Sequence, residues 1–305
     1  NPVIPLMEAD EKGRPYRVYD PCIWKEKDDY YTLSGSYWEG LIFDDCRMVQ
    51  HLFSSQDLKR WTFLGPFVED DIFTAPGEDG AVPYFWPIGD RYILVFGRHQ
   101  RGAQYLLGDW DEEDGKFRPF AHDRFCFGPV NNGGVYLMHM LNHGLITADW
   151  NGIMSLPSQL SISSDNTVLN KPVAALETLR GDHRHIGETR LPANRDIPLD
   201  IAGNAIEIVA RIDPQAAREV CIEVLRSPDG AETTSIRYLR NDGAVKSKGP
   251  ETFHDNLVLD ISRSSPLPDV LARPPETANF KLAADELLEL RIFVDKSIVE
   301  IFAND

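Results

Sequence analysis

Two stretches of this chain follow one plan. "PCIWKEKDDYYTLSG", from Pro21, and "PYFWPIGDRYILVFG", from Pro83, each run proline, aromatic strand, a turn with Asp, a second aromatic strand and glycine. Proline brings no N–H to a ladder, so it suits the first position of a strand. Gly, Pro, Asp and Asn interrupt the apolar runs after about four to eight residues, which is strand length. "HLFSSQDLKRWTFLG" and "QYLLGDWDEEDGKFRPF" then add an outer hairpin to each stretch. Units of about 40–50 residues with four short strands are the sequence form of a propeller blade. The inner strand of a blade starts beside the central channel, so the residues just ahead of Pro21 and Pro83 are expected at the channel mouth. Few segments carry a helical apolar period; "GIMSLPSQLSIS" also reads as a strand.

After about residue 170 the pattern changes. "AIEIVARID", "EVCIEVLRS", "TSIRYLRN", "NLVLDIS", "LLELRIFVD" and "SIVEIFAND" alternate apolar with polar residues. Strict alternation is the mark of half-buried antiparallel strands with one face in and one out. The expected architecture is all-β: an incomplete β-propeller of the five-bladed type over 1–168, a linker over 169–182 and a β-sandwich over 183–305. Residues 1–165 hold fewer than four blades at about 45 residues each, whereas closed propellers have about four to eight. The chain opens on Asn1 and stops inside "IFAND", so both domains are expected to continue beyond it. With its last strands absent, the sandwich is expected to leave Ile292, Val294, Val299 and Ile301 partly uncovered.

Composition excludes several classes of partner. A net charge of −17 opposes binding to nucleic acid or an anionic membrane, since both favour a basic face. No apolar run reaches the roughly 18 residues of a membrane helix, and no charged-then-apolar leader follows Asn1. Localisation is left open. Cys22, Cys46, Cys126 and Cys221 are widely spaced, without a Cys-x-x-Cys pair, and read as buried free thiols. His183 and His185 form an isolated His-x-His without further ligands nearby, so no metal and no cofactor are expected.

The chemistry is expected from carboxylates. Asp20 in "RVYDP" and the adjacent Glu78 and Asp79 in "GEDGAVPYFWP" hold equivalent places ahead of the two repeated inner strands. Equivalent positions of a propeller converge on its axis. Converging carboxylates among aromatics suit glycosidic cleavage, in which one acid protonates the leaving oxygen and others stabilise or attack the cationic carbon. Tyr84 and Trp86 offer an aromatic wall, and Asp149 and Trp150 in "TADWNG" form a third polar place.

The order of these motifs resembles glycoside hydrolase family 32, the β-fructosidases. "RVYDP" is similar to the family's Arg-Asp-Pro motif, with Arg17 three residues ahead of Asp20 rather than adjacent to it. "GEDGAVPYFWPIGDRYILVF" resembles the segment that holds the acid/base in a Glu-Cys-Pro motif. Alignment on the shared proline puts Ala81 and Val82 at the Glu and Cys positions, which leaves Glu78 or Asp79 as the acid. "DWNGIMSLPSQLSI" resembles the Ser-Leu-Pro-Arg segment, with Ser158 replacing the arginine, and "LRIFVDKSIVEIFAND" resembles the sandwich signature. The resemblance implies a retaining hydrolase of sucrose, levan or inulin-type fructosides that needs no cofactor. It implies that Asp20 stabilises the oxocarbenium-like state and that Arg17, Tyr84, Trp86, Asp149 and Trp150 contact substrate. The family's nucleophile motif, Trp-Met-Asn-Asp-Pro-Asn, has no match here, so this chain alone is not expected to hydrolyse fructans at an enzymatic rate. Two rival readings are a non-catalytic carbohydrate-binding remnant and an arabinosidase- or xylosidase-type propeller; the sandwich signature argues against the second.

Overall fold

The computed structural model describes residues 3–4, 16, 18–38, 47–75, 78, 80–98, 102–126, 130–132, 136–141, 152–240, 255–268, 270, 274–283 and 285–304. Arg17, Asp79, Asp149 and Trp150 lie outside the described residues. The protein is all-β, with a short 3-10 helix at Ala174–Leu179. Its residues divide into two compact units, with the boundary at Val173/Ala174.

The first unit consists of antiparallel sheets. Strands β1 (Pro21–Glu26), β2 (Asp29–Trp38), β3 (Arg47–Ser55) and β4 (Thr62–Pro66) form one sheet in sequence order. Strands β5 (Ala81–Ile88), β6 (Arg91–Arg98), β7 (Gly102–Asp111) and β8 (Lys116–Cys126) form a second with the same order. The repeat that starts at Pro21 and Pro83 is thus a pair of four-stranded meanders. In both, a two-residue bend joins the first hairpin, at Lys27-Asp28 and at Gly89-Asp90. A third sheet contains β9 (Val130–Asn132), β10 (Tyr136–Leu141), β11 (Ile153–Met154), β12 (Ser158–Ile162) and β13 (Val168–Pro172). The run "GIMSLPSQLSIS" is not one strand but two, β11 and β12, separated around Pro157, which has no N–H for a ladder. β13 pairs with β12 along its whole length, so the first residues after position 168 belong to this sheet.

Period-2 alternation lets the second sheet bury both faces. Phe85, Leu94, Phe96 and Leu106 face Tyr31, Leu33 and Leu52 of the first sheet. Ile88, Ile93, Val95 and Leu107 face Leu137 and Leu160 of the third. The chain leaving β4 clamps the first two sheets: Phe117 N–H donates to Phe67 O and Glu69 N–H donates to Phe117 O, both at 2.9 Å.

The second unit holds two sheets. One has β14 (Ala205–Ile212), β19 (Leu288–Asp295) and β20 (Ile298–Ala303) in the order β14-β19-β20. The other runs β15 (Glu219–Val224), β16 (Thr234–Leu239), β17 (Asp255–Asp260) and β18 (Glu276–Phe280). Leu288, Leu290, Ile292 and Val294 share one apolar cluster with Val224, Ile236 and Tyr238 of the other sheet, as in a sandwich. Contrary to the expectation of an uncovered face, Ile292 and Val294 are 0% and 2% exposed, while Val299 and Ile301 are half-buried. The reason is that the facing sheet covers this side of β19, through Val224, Ile236 and Tyr238. Cys22 and Cys221 are free thiols; Cys22 is half-buried, but Cys221 is exposed rather than buried.

Candidate active site

The apolar layer between the first two sheets turns polar at one end. On β2, Tyr31 and Leu33 are followed on the same face by Gly35; on β3, Leu52 is followed by Gln50, which pairs with Gly35. On β7, Leu106 gives way to Gln104, opposite Phe96 of β6. Gln50 is 0% exposed, and Gln104 and Glu78 are each 2% exposed. Burying amides and a carboxylate is costly unless their hydrogen bonds are met. Here Gln50 Nε2 donates to Gly80 O at 2.7 Å, and Gln104 Nε2 donates to Glu78 Oε1 at 3.4 Å. The other Glu78 oxygen, Oε2, accepts the Ala75 N–H at 3.0 Å. Glu78 N–H returns a bond to Ala75 O at 3.2 Å, closing a tight turn around the carboxylate.

Asp20 lies at the start of β1 and is exposed. A residue ahead of proline is expected in extended backbone, yet Asp20 has φ of 38°, in the left-handed region. Two features account for this departure. Asp tolerates that region better than most side chains. The preceding residue is also anchored, since Tyr19 N–H donates to Ser34 Oγ at 2.6 Å while Ser34 Oγ–H donates to Tyr19 O at 2.8 Å.

The lead-ins to β1 and β5 meet at one hydrogen bond. Val82 N–H donates to Asp20 Oδ2 at 3.3 Å. Val82 has φ of 49°, a strained value for a β-branched residue, and it sits where the β5–β6 register slips between Ala81 and Tyr84. Two left-handed, non-glycine residues therefore touch across the lead-ins of two sheets. The bend also needs glycine nearby: a Cβ at Gly35 would lie 2.8 Å from Gly80 O. Strain of this kind costs of order 1–3 kcal/mol per residue and concentrates at functional sites.

Among the residues expected at the site, Asp20 accepts from Val82 N–H, four residues after the buried Glu78. Tyr84 and Trp86 project from β5 into the layer facing the third sheet, whereas Phe85 faces the first. Burial pushes the Tyr84 phenol up, and charge at Cys22 and Asp20 adds to the effect. No group of three or more His, Cys, Asp or Glu residues suited to a metal occurs among the described residues. The residues missed by motif reading are Gln50, Gln104 and His122. For Gln50 and Gln104 a signal was present, a polar side chain at a core-facing position among apolar neighbours; His122, half-buried on the charged strand β8, carries none. Ser158, at the arginine position of the Ser-Leu-Pro-Arg pattern, is 3% exposed and donates to Leu137 O at 3.4 Å.

Comparison with known proteins bears on the whole chain. The family described as "Glycosyl hydrolases family 32 C terminal" matches residues 175–305. A sucrose-6-phosphate hydrolase of Staphylococcus xylosus is 31% identical over 327 residues, covering 98% of this chain and 60% of that protein. A levanase of Bacillus subtilis is 23% identical over 343 residues, covering 100% of this chain and 46% of the levanase. The chain thus spans about half to three fifths of the length of these curated relatives. The crystal structure of fructan 1-exohydrolase IIa from Cichorium intybus has the same fold, with a TM-score of 0.75 at 17% identity over 100% of this chain and 66% of that one. With that domain at its C-terminal end and relatives of one family along its length, the chain belongs to glycoside hydrolase family 32.

Proposed function

We propose that this chain carries two of the three working carboxylates of a β-fructoside hydrolase. Asp20 binds fructosyl hydroxyls and stabilises the oxocarbenium-like transition state; Glu78 is the acid/base, with Asp79 as the alternative. The observation that carries this reading is the Asp20–Val82 hydrogen bond, which joins two strained lead-ins beside a buried carboxylate. A fold gains nothing in stability from two left-handed residues and a buried glutamate at one place. A site that must hold carboxylates at fixed positions does gain from them. On this reading the three sheets of the first unit are blades of a five-bladed propeller over 1–168. Of the stretch 169–182 expected as the linker, β13 holds the part up to Pro172 in the third sheet, and the remainder leads to a sandwich over 183–305.

The mechanism follows from the chemistry of paired carboxylates. Glu78 as the neutral acid protonates the glycosidic oxygen as the bond to the fructosyl carbon lengthens. Asp20 offsets the positive charge growing on the ring. A carboxylate on the opposite face attacks that carbon, and water then releases fructose with Glu78 acting as base. No Trp-Met-Asn-Asp-Pro-Asn stretch occurs in these 305 residues, so this scheme assigns the attacking carboxylate to none of the residues named above. Arg17, Asp149 and Trp150 are further substrate contacts in this scheme; Tyr84 and Trp86, expected among the contacts, pack in the layer that faces the third sheet. The substrates are sucrose, levan or inulin-type fructosides, in keeping with the names of the relatives.

Fructose release from sucrose and levan by the complete gene product tests the proposal. Glu78→Gln is expected to lower turnover on sucrose by about 10²–10⁴-fold, the usual worth of a general acid. The loss should be far smaller on p-nitrophenyl β-fructofuranoside, whose leaving group needs little protonation. Wild-type rates in Glu78→Gln, with the loss appearing in Asp79→Asn, would transfer the role to Asp79.

A further inference from the structure

Gln104 is used at both ends. Its Nε2 reaches Glu78 Oε1 at 3.4 Å, and its Oε1 lies 2.8 Å from His122 Nε2. His122 sits on β8 across from Leu106, diagonal to Gln104 in the register. Its ring stacks on Phe73, with centroids 6.1 Å apart and planes 20° from parallel. Phe73 is itself held, since its N–H donates to Asp71 Oδ1 at 2.9 Å. Phe73, His122, Gln104 and Glu78 thus form one contiguous chain of contacts in the first unit.

We infer that His122 is a positioning residue for Glu78, acting through Gln104; its catalytic consequence rests on the reading of Glu78 as the acid/base. An amide has one donating and one accepting end. Glu78 Oε1 accepts when the group is ionised, and also when it is the neutral acid with its proton on Oε2, so the NH₂ of Gln104 faces Glu78 and the carbonyl oxygen faces His122. That oxygen needs a donor, so His122 carries its proton at Nε2. Turning the amide over would set two acceptors against each other at Glu78 and leave the imidazole N–H facing an NH₂. Glu78 decides which way the amide faces, the Nε2–H of His122 anchors its far end, and the amide in turn holds Glu78 Oε1 while Ala75 N–H holds Oε2. Held at both oxygens, the carboxylate cannot rotate about its terminal bond without losing a partner. Proton transfer to a leaving oxygen depends steeply on that orientation.

The test uses two substitutions that differ in one property. His122→Phe keeps a flat ring against Phe73 but removes the N–H; His122→Gln restores a donor near the Nε2 position. In the complete gene product, His122→Phe is expected to lower kcat on sucrose about tenfold, with KM unchanged. On p-nitrophenyl β-fructofuranoside it should change kcat by less than about twofold, and His122→Gln should recover most of the sucrose activity. Equal losses on both substrates, or His122→Gln as poor as His122→Phe, would overturn the inference. A second readout does not depend on activity. In the complete gene product, the side-chain amide NMR signal of Gln104 should move in Glu78→Gln and in His122→Phe and stay near its wild-type position in His122→Gln. A Gln104 signal indifferent to His122→Phe would also overturn it. Should the signal behave as expected while Glu78→Gln leaves hydrolysis untouched, the acid/base role falls and the positioning of Glu78 by His122 stands.

Discussion

The two units differ in the polar groups they bury between their sheets. In the second, the layer between the sheets is aliphatic along β19, from Leu288 to Val294, and most charge is kept outside. Glu207, for instance, bonds Arg180 and Arg291 on the outer face of the three-stranded sheet. In the first unit the equivalent layer ends in Gln50, Glu78 and Gln104, all but sealed from solvent. Gln50 Oε1 has no hydrogen-bond partner among the described residues. A stability-optimised core has no use for such groups, because each must recover a desolvation cost of roughly 1–3 kcal/mol through its hydrogen bonds. The contrast teaches where to look for chemistry: in the unit whose core departs from the apolar rule and whose backbone is strained at the same place.

That contrast can be broken most forcefully in the second unit. Ile292→Ala deletes a side chain with no exposure at the centre of the sandwich and should cost about 2–5 kcal/mol. Chemical denaturation should show the loss, with kcat on sucrose unchanged at temperatures below the transition. A fall in kcat without a fall in stability would mean that the second unit takes part in catalysis.

Asp20→Ala should show the reverse pattern. Asp20 is exposed, so the unfolding midpoint should scarcely move. Turnover on sucrose should fall about a hundredfold, roughly 2.7 kcal/mol in the barrier, as expected for loss of a charge that stabilises the transition state. Steady-state kinetics and a melting curve on one preparation separate the two effects.

How much of this was legible in the sequence depends on the element. The pairs of hairpins in β1–β4 and β5–β8 were readable because alternation, strand-starting prolines and Asp-bearing turns agree there. β18 went unread, since "ETANF" has little apolar alternation and is mostly exposed. The placement of Asp20 and Glu78 ahead of the inner strands came from the repeat, but the backbone of Asp20 did not. A proline that follows argues for extended backbone, and the clamp from Ser34, fourteen residues further on, is a tertiary effect invisible to local rules. Gln104 and His122 belong to no motif, and only the strand pairing brings them together.

Smaller effects sharpen the comparison. Tyr238 is the large polar exception in the second core; its hydroxyl donates to Asp255 Oδ2 at 2.6 Å. Burial pushes the phenol up, and the Asp255 carboxylate adds to it. Tyr238→Phe should cost about 1–3 kcal/mol by denaturation, since it takes a partner from a buried carboxylate, and should leave kcat alone.

The weakest expected effect is the pH response of Glu207. The hydrogen bond from Arg180 holds its carboxyl below the ordinary value of 4.5; burial opposes this, and Arg291 adds to the lowering. A carboxylate with a depressed folded value contributes stability that is complete above the unfolded value and is lost as pH falls through the folded one. Unfolding between about pH 5 and pH 3 should therefore steepen in the wild type relative to Arg180→Met, by a small margin because the arginine is solvent-exposed.

The central claim is that the strained lead-ins of β1 and β5 hold one fructosyl group between Asp20 and Glu78. A crystal structure of the complete gene product with fructose bound, using Glu78→Gln to prevent turnover of longer ligands, tests it most directly. The expected result is fructose hydroxyls on the Asp20 carboxylate, with the side chain at position 78 within about 2.6–3.2 Å of the anomeric oxygen. Fructose bound elsewhere, with Asp20 still engaged only by Val82, would contradict the account.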